Sequence, residues 1–262
     1  MEQNEKFRLV SSKKTRYLLP NILTLAGVCL GISSIKFSID GNYSLAITLI
    51  VIAAILDALD GRIARLIKGT SEFGKELDSL TDFVSFGIAP AFILYFWELN
   101  NYGKLGWAIT LIYSVCCVLR LARFNLTKIE VAEDWKNNFF EGIPSPAGGL
   151  LILMPLVYDL TGLNLGFDIK KITPYFTILI AIMLVSKIPT LALKRISISP
   201  KITVFLLLGV GLVFIALLFY TLEAILIFGI AYLISIPISI ILFRNQNKKN
   251  LKISDENHED IL

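Results

Sequence analysis

Histidine is nearly absent from this chain of 262 residues: the single one, His258, sits among charges near the C-terminus and reads as a solvated surface residue. Mechanisms that need two histidines are excluded with it. Cysteine is scarce as well. Cys29, Cys116 and Cys117 are odd in number and lie in apolar runs, so a disulfide framework is not expected and packing is the natural role. Charged residues make up only 18% of the chain against 55% hydrophobic, and the mean hydropathy of +0.69 is well above that of a soluble globular protein. No internal repeat is evident. The basic residues Lys6, Arg8, Lys13, Lys14 and Arg16 are followed by no small-residue cleavage site, so a signal peptide is not expected.

What is present is apolar sequence in membrane-sized pieces. Eight stretches stand out, roughly 20–39, 43–66, 72–97, 105–125, 145–161, 173–192, 201–220 and 222–243. Each is near the ~17–25 residues that a helix needs to cross a bilayer. The sequence therefore predicts an all-α, polytopic membrane helix bundle. Its transmembrane domain covers 18–243, after a polar basic segment (1–17) and before a charged, mobile tail (244–262). The shortest stretch carries Pro146, Gly148, Gly149 and Pro155 and is expected to bend or to begin as non-helical chain. With eight spans, every one of the 25 Lys and Arg except Lys36, Lys104, Lys170 and Lys171 falls on one side. The positive-inside rule puts that side, with both termini, at the cytoplasm. An odd number of spans would scramble the asymmetry.

Residues 57–82, DALDGRIARLIKGTSEFGKELDSLTD, break the apolar pattern with four aspartates, Asp57, Asp60, Asp78 and Asp82. The i,i+3 and i,i+4 spacings put each pair on one helix face. Between the pairs, Gly69-Thr70-Ser71 supplies a stop, a turn and an N-cap. Asp60 and Asp78 each lie nine residues from Gly69. In an antiparallel helical hairpin equal counts mean equal depth, so the carboxylates should face each other roughly 13–20 Å from the tip. A carboxylate in a membrane helix costs on the order of 2.5–3.5 kcal/mol, and like charges raise that further. Something has to cancel the charge. All-oxygen ligands favour hard cations such as Mg²⁺, Mn²⁺ or Ca²⁺, and four carboxylates can hold two. The plainer reading pairs the aspartates with Arg62, Arg65, Lys68 and Lys75 in a solvated hairpin; the opposed spacing of the two pairs favours metal.

The pattern Asp57-x2-Asp60-Gly61-x2-Ala64-Arg65-x8-Gly74-x3-Asp78-x3-Asp82 resembles the complete signature of the CDP-alcohol phosphotransferases, with no position departing from it. The resemblance implies two Mg²⁺ or Mn²⁺ ions held by the four aspartates, with Asp82 also the general base. Gly61 and Gly74 either let helices pack closely or let a flat part of a nucleotide approach the backbone. Arg65, with Ala64 beside it, has the planar fork to reach a phosphate. Ser71 can cap the third helix or bind the nucleotide. Pro20-Asn21-x2-Thr24 resembles the opening motif that lines the family's nucleotide pocket; alternatively it starts the first helix, with Thr24 bonding back along it.

Two further segments, Arg120–Asn125 and the proline-framed run from Phe139 to Gly149, together resemble the membrane-spanning phosphatidylserine synthase branch. That resemblance implies CDP-diacylglycerol and L-serine as substrates, phosphatidylserine and CMP as products, and a homodimer packed through transmembrane helices. Arg120, Arg123, Asn125, Glu141 and Ser145 become acceptor- or phosphate-binding residues, although two arginines near a span end also fit plain snorkelling. The expected setting is the bilayer of the cell membrane, with the site facing the cytoplasm and no nucleic-acid partner. The rivals are a sister transferase using glycerol 3-phosphate, inositol phosphate or choline, and a divalent-cation transporter. Transporter sites favour the midplane, on broken helices of related repeats, whereas here the aspartates cluster towards one face and no repeat is evident. A scaffold would leave the aspartates unexplained.

Overall fold

The computed structural model describes residues 12–67, 71–127, 139–163, 166, 168–191, 208–209, 211, 216–217 and 219–259. The expected all-α class holds. The helices are α1 (Ser12–Ile39), α2 (Tyr43–Leu66), α3 (Glu72–Asp82), α4 (Ala89–Trp97), α5 (Lys104–Thr127), α6 (Ser145–Ile152), α7 (Met154–Leu160), α8 (Ile169–Val185) and α9 (Thr221–Glu259). Among the described residues the only sheet is an antiparallel ribbon of β1 (Phe139–Glu141) and β2 (Pro189–Leu191), with Phe140 opposite Thr190.

Local chemistry explains the helix boundaries. Asn42 caps α2 by accepting from the Leu45 N–H (3.2 Å), Ser71 caps α3 through Gly74 (3.0 Å), and Asp168 caps α8 through Lys170 (3.2 Å). Among the described residues five helical segments are long and apolar enough to cross a membrane: Leu18–Ile39, Tyr43–Leu66, Glu72–Trp97, Lys104–Leu126 and Thr221–Arg244. Their outward faces are apolar, as with Leu111, Val115 and Leu119 on α5 and Ile227, Ile230 and Ile234 on α9. Such faces would be an aggregation hazard in water and suit a lipid solvent. The protein is a multi-pass membrane protein.

One detail meets the expectation and three depart from it. The stretch at 145–161 bends as its prolines and glycines suggest: it is broken at Leu153, because Pro155 has no N–H for the helical ladder, and it becomes α6 and α7. The stretch at 173–192 is helical only to Val185 and then turns into β2. Pro20 does not start the first helix but lies inside α1. The expected tail is not loose chain either, since α9 runs on to Glu259. The stretch at 201–220 and the loop at 128–136 lie largely or wholly outside the described residues.

A fourth departure lies next to the aspartates: inside the span expected at 72–97, residues Phe83–Ile88 form a π-helical turn between α3 and α4. A π turn widens the ladder and leaves a carbonyl without its usual partner. Tyr113 on α5, fully buried, donates its hydroxyl to the Phe86 carbonyl at 2.9 Å. The widened turn needs small neighbours. A Cβ on Gly149 would come within 3.0 Å of the Phe86 Cα, and one on Gly31 within 3.1 Å of the Ser85 Cα.

Hydrogen bonds mark the two ends of the bundle. At one end Tyr43 donates to the Phe96 carbonyl (3.1 Å) and Tyr102 to the Lys170 carbonyl (3.3 Å). At the other, Asn125 donates to Ser79 (3.0 Å), Arg123 to the Val185 carbonyl (2.6 Å) and Ser239 to the Pro189 carbonyl (2.8 Å). Between them lies a dry core that includes Ile47, Ile50, Phe86, Ile93, Leu94, Leu156 and Ile180.

Candidate active site

The site forms where α2 and α3 face each other, against α1 on one flank and α5 and α6 on the other. Asp57, Asp60 and Asp78 each contribute a carboxylate oxygen to a group whose members all lie within 4.8 Å of one another. Asp60 is buried, and Asp57 and Asp78 are half-buried. Thr24 on α1 lies 2.7 Å from Asp60 Oδ2 and 2.9 Å from the Pro20 carbonyl. Its one hydroxyl hydrogen can serve only one of them, and the charged acceptor makes the stronger bond. Thr24 is therefore a brace for Asp60, a role the sequence did not suggest for it.

Asp82, one turn beyond Asp78, stands outside that group of three but within hydrogen-bonding reach of Asp57. Its Oδ2 accepts from Ser145 at 3.1 Å, and Ser145 in turn accepts from Arg120 Nη1 at 2.8 Å. Its Oδ1 is buried and has no hydrogen-bond partner among the described residues. Leaving a buried polar atom unpaired costs about 1–3 kcal/mol, more when it is charged. Converging carboxylates, an all-oxygen donor set and an orphaned oxygen beside them fit hard divalent cations. Asp57, Asp60 and Asp78 are the residues that could hold one, with Asp82 adjoining.

The other expected site residues separate into those drawn to this centre and those used elsewhere. Gly61 is exposed, and a Cβ there would meet no protein atom within 4 Å, so close helix packing does not account for it. Ala64 is half-buried and Arg65 exposed on the same stretch of α2. A Cβ on Gly74 would touch Ser71 Oγ at 3.1 Å and Asn21 Oδ1 at 3.2 Å, which places Asn21 at the start of α3 beside the capping serine. Arg120 and Ser145 reach Asp82. Arg123 ties α5 to the end of α8, Asn125 ties α5 to α3, and Glu141 is exposed on the ribbon. Sequence reasoning missed the Ser145 bridge and the π turn, because both depend on contacts between distant segments.

A helix bundle with membrane-length apolar helices, a carboxylate cluster suited to divalent metal and a linked arginine, serine and aspartate beside it has the make-up of an integral membrane enzyme. The family model described as CDP-alcohol phosphatidyltransferase matches residues 17–243, and the chain belongs to that family. Among its relatives, the CDP-diacylglycerol–serine O-phosphatidyltransferase of Helicobacter pylori is 34% identical over 238 residues, covering 88% of this chain and 97% of the relative. The protein of that name from Mycobacterium tuberculosis is also 34% identical, over 85% of this chain and 78% of the relative. The one from Bacillus subtilis is 32% identical over 56% of this chain and 81% of its own length.

Proposed function

We propose that the protein transfers the phosphatidyl group of CDP-diacylglycerol to the hydroxyl of L-serine, giving phosphatidylserine and CMP. The observation that carries this reading is Asp82: one carboxylate oxygen is held by the Arg120–Ser145 pair, and the other is buried, adjoins three converging aspartates and has no partner among the described residues. The shared name of the relatives supports the choice of serine over glycerol 3-phosphate, inositol phosphate or choline.

In this reading the oxygen of serine forms a bond to the lipid phosphorus. The bond from that phosphorus to the bridging oxygen breaks, and CMP leaves with the electron pair. Asp82 Oδ1 accepts the serine hydroxyl proton. Ser145 holds Asp82 by its other oxygen, so that Oδ1 points at the acceptor. Two Mg²⁺ or Mn²⁺ ions bound by Asp57, Asp60, Asp78 and Asp82 would neutralise the diphosphate and the charge developing on the leaving group. Thr24 keeps Asp60 oriented, while Gly61, Ala64, Arg65, Ser71, Gly74 and Asn21 line the approach of the nucleotide. The acyl chains stay in the bilayer.

The same reading places the protein in the cell membrane with eight spans, the transmembrane domain over 18–243, both termini and the aspartates at the cytoplasmic side, and a homodimer as the working unit. Direction supports the even count. Arg123 puts the end of α8 at the aspartate end, and Gly229 beside Met154 with Ser239 beside Pro189 sends α9 the same way. Two parallel helices require one crossing between them.

An acceptor panel tests the assignment: purified protein in detergent with CDP-diacylglycerol, Mn²⁺ or Mg²⁺, and CMP release as the readout. Release is expected with L-serine, and EDTA should abolish it. Release with glycerol 3-phosphate, inositol 1-phosphate or choline in place of serine would keep the displacement chemistry and overturn the acceptor. Binding of divalent cation with neither release nor binding of CDP-diacylglycerol would favour transport.

A further inference from the structure

The wall of the site facing Asp82 has hydrogen-bonding capacity that no described residue uses. Arg120 is only 9% exposed, yet its guanidinium makes one hydrogen bond to described residues, from Nη1 to Ser145. A guanidinium has five N–H donors. Tyr232 on α9 has a buried hydroxyl that makes no hydrogen bond of normal length among the described residues. It lies within electrostatic reach of Arg120, and its nearest side-chain hydrogen-bonding neighbour is Thr190, whose own hydroxyl donates to the Gly142 carbonyl at 2.8 Å. Asp82 Oδ1, also unpaired among the described residues, faces them. Depth agrees as well: Tyr232 is roughly 18 Å along α9 from Arg244, and Asp82 roughly 15 Å along α3 from Glu72, at about 1.5 Å per residue.

The unused set therefore consists of cationic and neutral donors on one side and an anionic acceptor on the other. A small molecule that completes it must carry an anionic acceptor group and a hydroxyl donor. A hydroxy amino acid does both. Choline offers no anion, and a phosphate dianion would set two negative charges against the one buried guanidinium of this wall.

We propose that Tyr232 is a specificity-determining residue for the acceptor: its hydroxyl, together with Arg120, binds the acceptor's carboxylate and so turns the acceptor's hydroxyl toward Asp82. The proposal rests on the serine reading above. Arg120 supplies charge and a planar fork, and Tyr232 supplies a rigid donor at low entropic cost.

Tyr232→Phe removes the hydroxyl and keeps the ring. The KM for L-serine is expected to rise roughly 10-fold, because a hydrogen bond to a charged group is lost, while the KM for CDP-diacylglycerol stays within about 2-fold. L-serine methyl ester, which lacks the carboxylate charge, should be a poor acceptor for the unaltered protein, and Tyr232→Phe should narrow the preference for serine over the ester. An unchanged serine KM in Tyr232→Phe overturns the proposal. So does a variant that no longer folds or binds CDP-diacylglycerol, since the hydroxyl would then be structural. If the unaltered protein releases no CMP with serine, the acceptor reading itself fails and takes this proposal with it; the two failures are told apart by that control.

Discussion

The wall of the site made by α2 and α3 takes all four aspartates from one continuous stretch, residues 57–82. The facing wall takes Arg120 from α5, Ser145 from α6, Thr190 from β2 and Tyr232 from α9. The first wall needs only a helical hairpin with the right spacing, so its geometry is local. The second exists only once the whole bundle has assembled around the π turn at Phe83–Ile88. The difference assigns a division of labour. A local wall can carry chemistry common to every acceptor, while a wall assembled from distant helices can change its acceptor by changing one residue at a time.

If that division is right, the deepest loss should come from the residue where the walls meet. Asp82→Asn keeps the shape of the side chain and both its neighbours but removes the proton acceptor. Turnover is expected to fall roughly 10²–10⁴-fold, the usual contribution of a positioned general base. Binding of CDP-diacylglycerol, measured by equilibrium titration in the presence of metal, should be largely retained. Undiminished turnover would remove Asp82 from the mechanism, and a loss confined to metal affinity would move it wholly to the first wall.

Ser145→Ala probes the joint from the other side. The serine is fully buried and links Arg120 to Asp82, so alanine costs both hydrogen bonds at once. A kcat reduced roughly 10-fold, equivalent to about 1.4 kcal/mol, is expected, with the KM for CDP-diacylglycerol little changed. A rise in that KM with kcat intact would place Ser145 on the nucleotide and not on the orientation of the base.

The same contrast explains what was legible in the sequence. The carboxylate spacing, the Ser71 cap and five membrane-length helices follow from periods of 3.6 residues and from local composition, which a sequence displays directly. In the sequence Ser145 stands out only through a motif, and its bond to Asp82 joins positions far apart in the chain. The back-bonding reach of Thr24 to the Pro20 carbonyl is local and legible, whereas its shorter contact, with Asp60, belongs to another helix. Nothing in the run around Tyr232 distinguishes its hydroxyl from any tyrosine in an apolar span. The π turn had no local signal either: its stabilising features are Tyr113, Gly31 and Gly149, on three other elements. Arg123 and Asn125 share a motif with Arg120, and the bonds they make to the Val185 carbonyl and to Ser79 depend likewise on distant segments.

Glycine 61 gives the smallest effect and the sharpest sign. In the interior of a helix, glycine is about 1 kcal/mol less favourable than alanine, mostly through the extra freedom it has in the unfolded chain. Gly74 has a packing reason for this cost, because a Cβ there would press on Ser71 and Asn21. Gly61 has none: the space where its Cβ would go is open. Gly61→Ala should therefore raise stability by about 0.5–1 kcal/mol in thermal or denaturant unfolding. The same methyl group should raise the KM for CDP-diacylglycerol several-fold, if the nucleotide lies against the backbone of α2 as the first wall requires. Higher stability with an unchanged KM would remove the nucleotide from this face, and lower stability would mean that another part of the protein, or a second copy, packs there. Opposite signs for stability and substrate affinity at one exposed glycine are hard to obtain in any way other than a ligand occupying the place of the missing side chain.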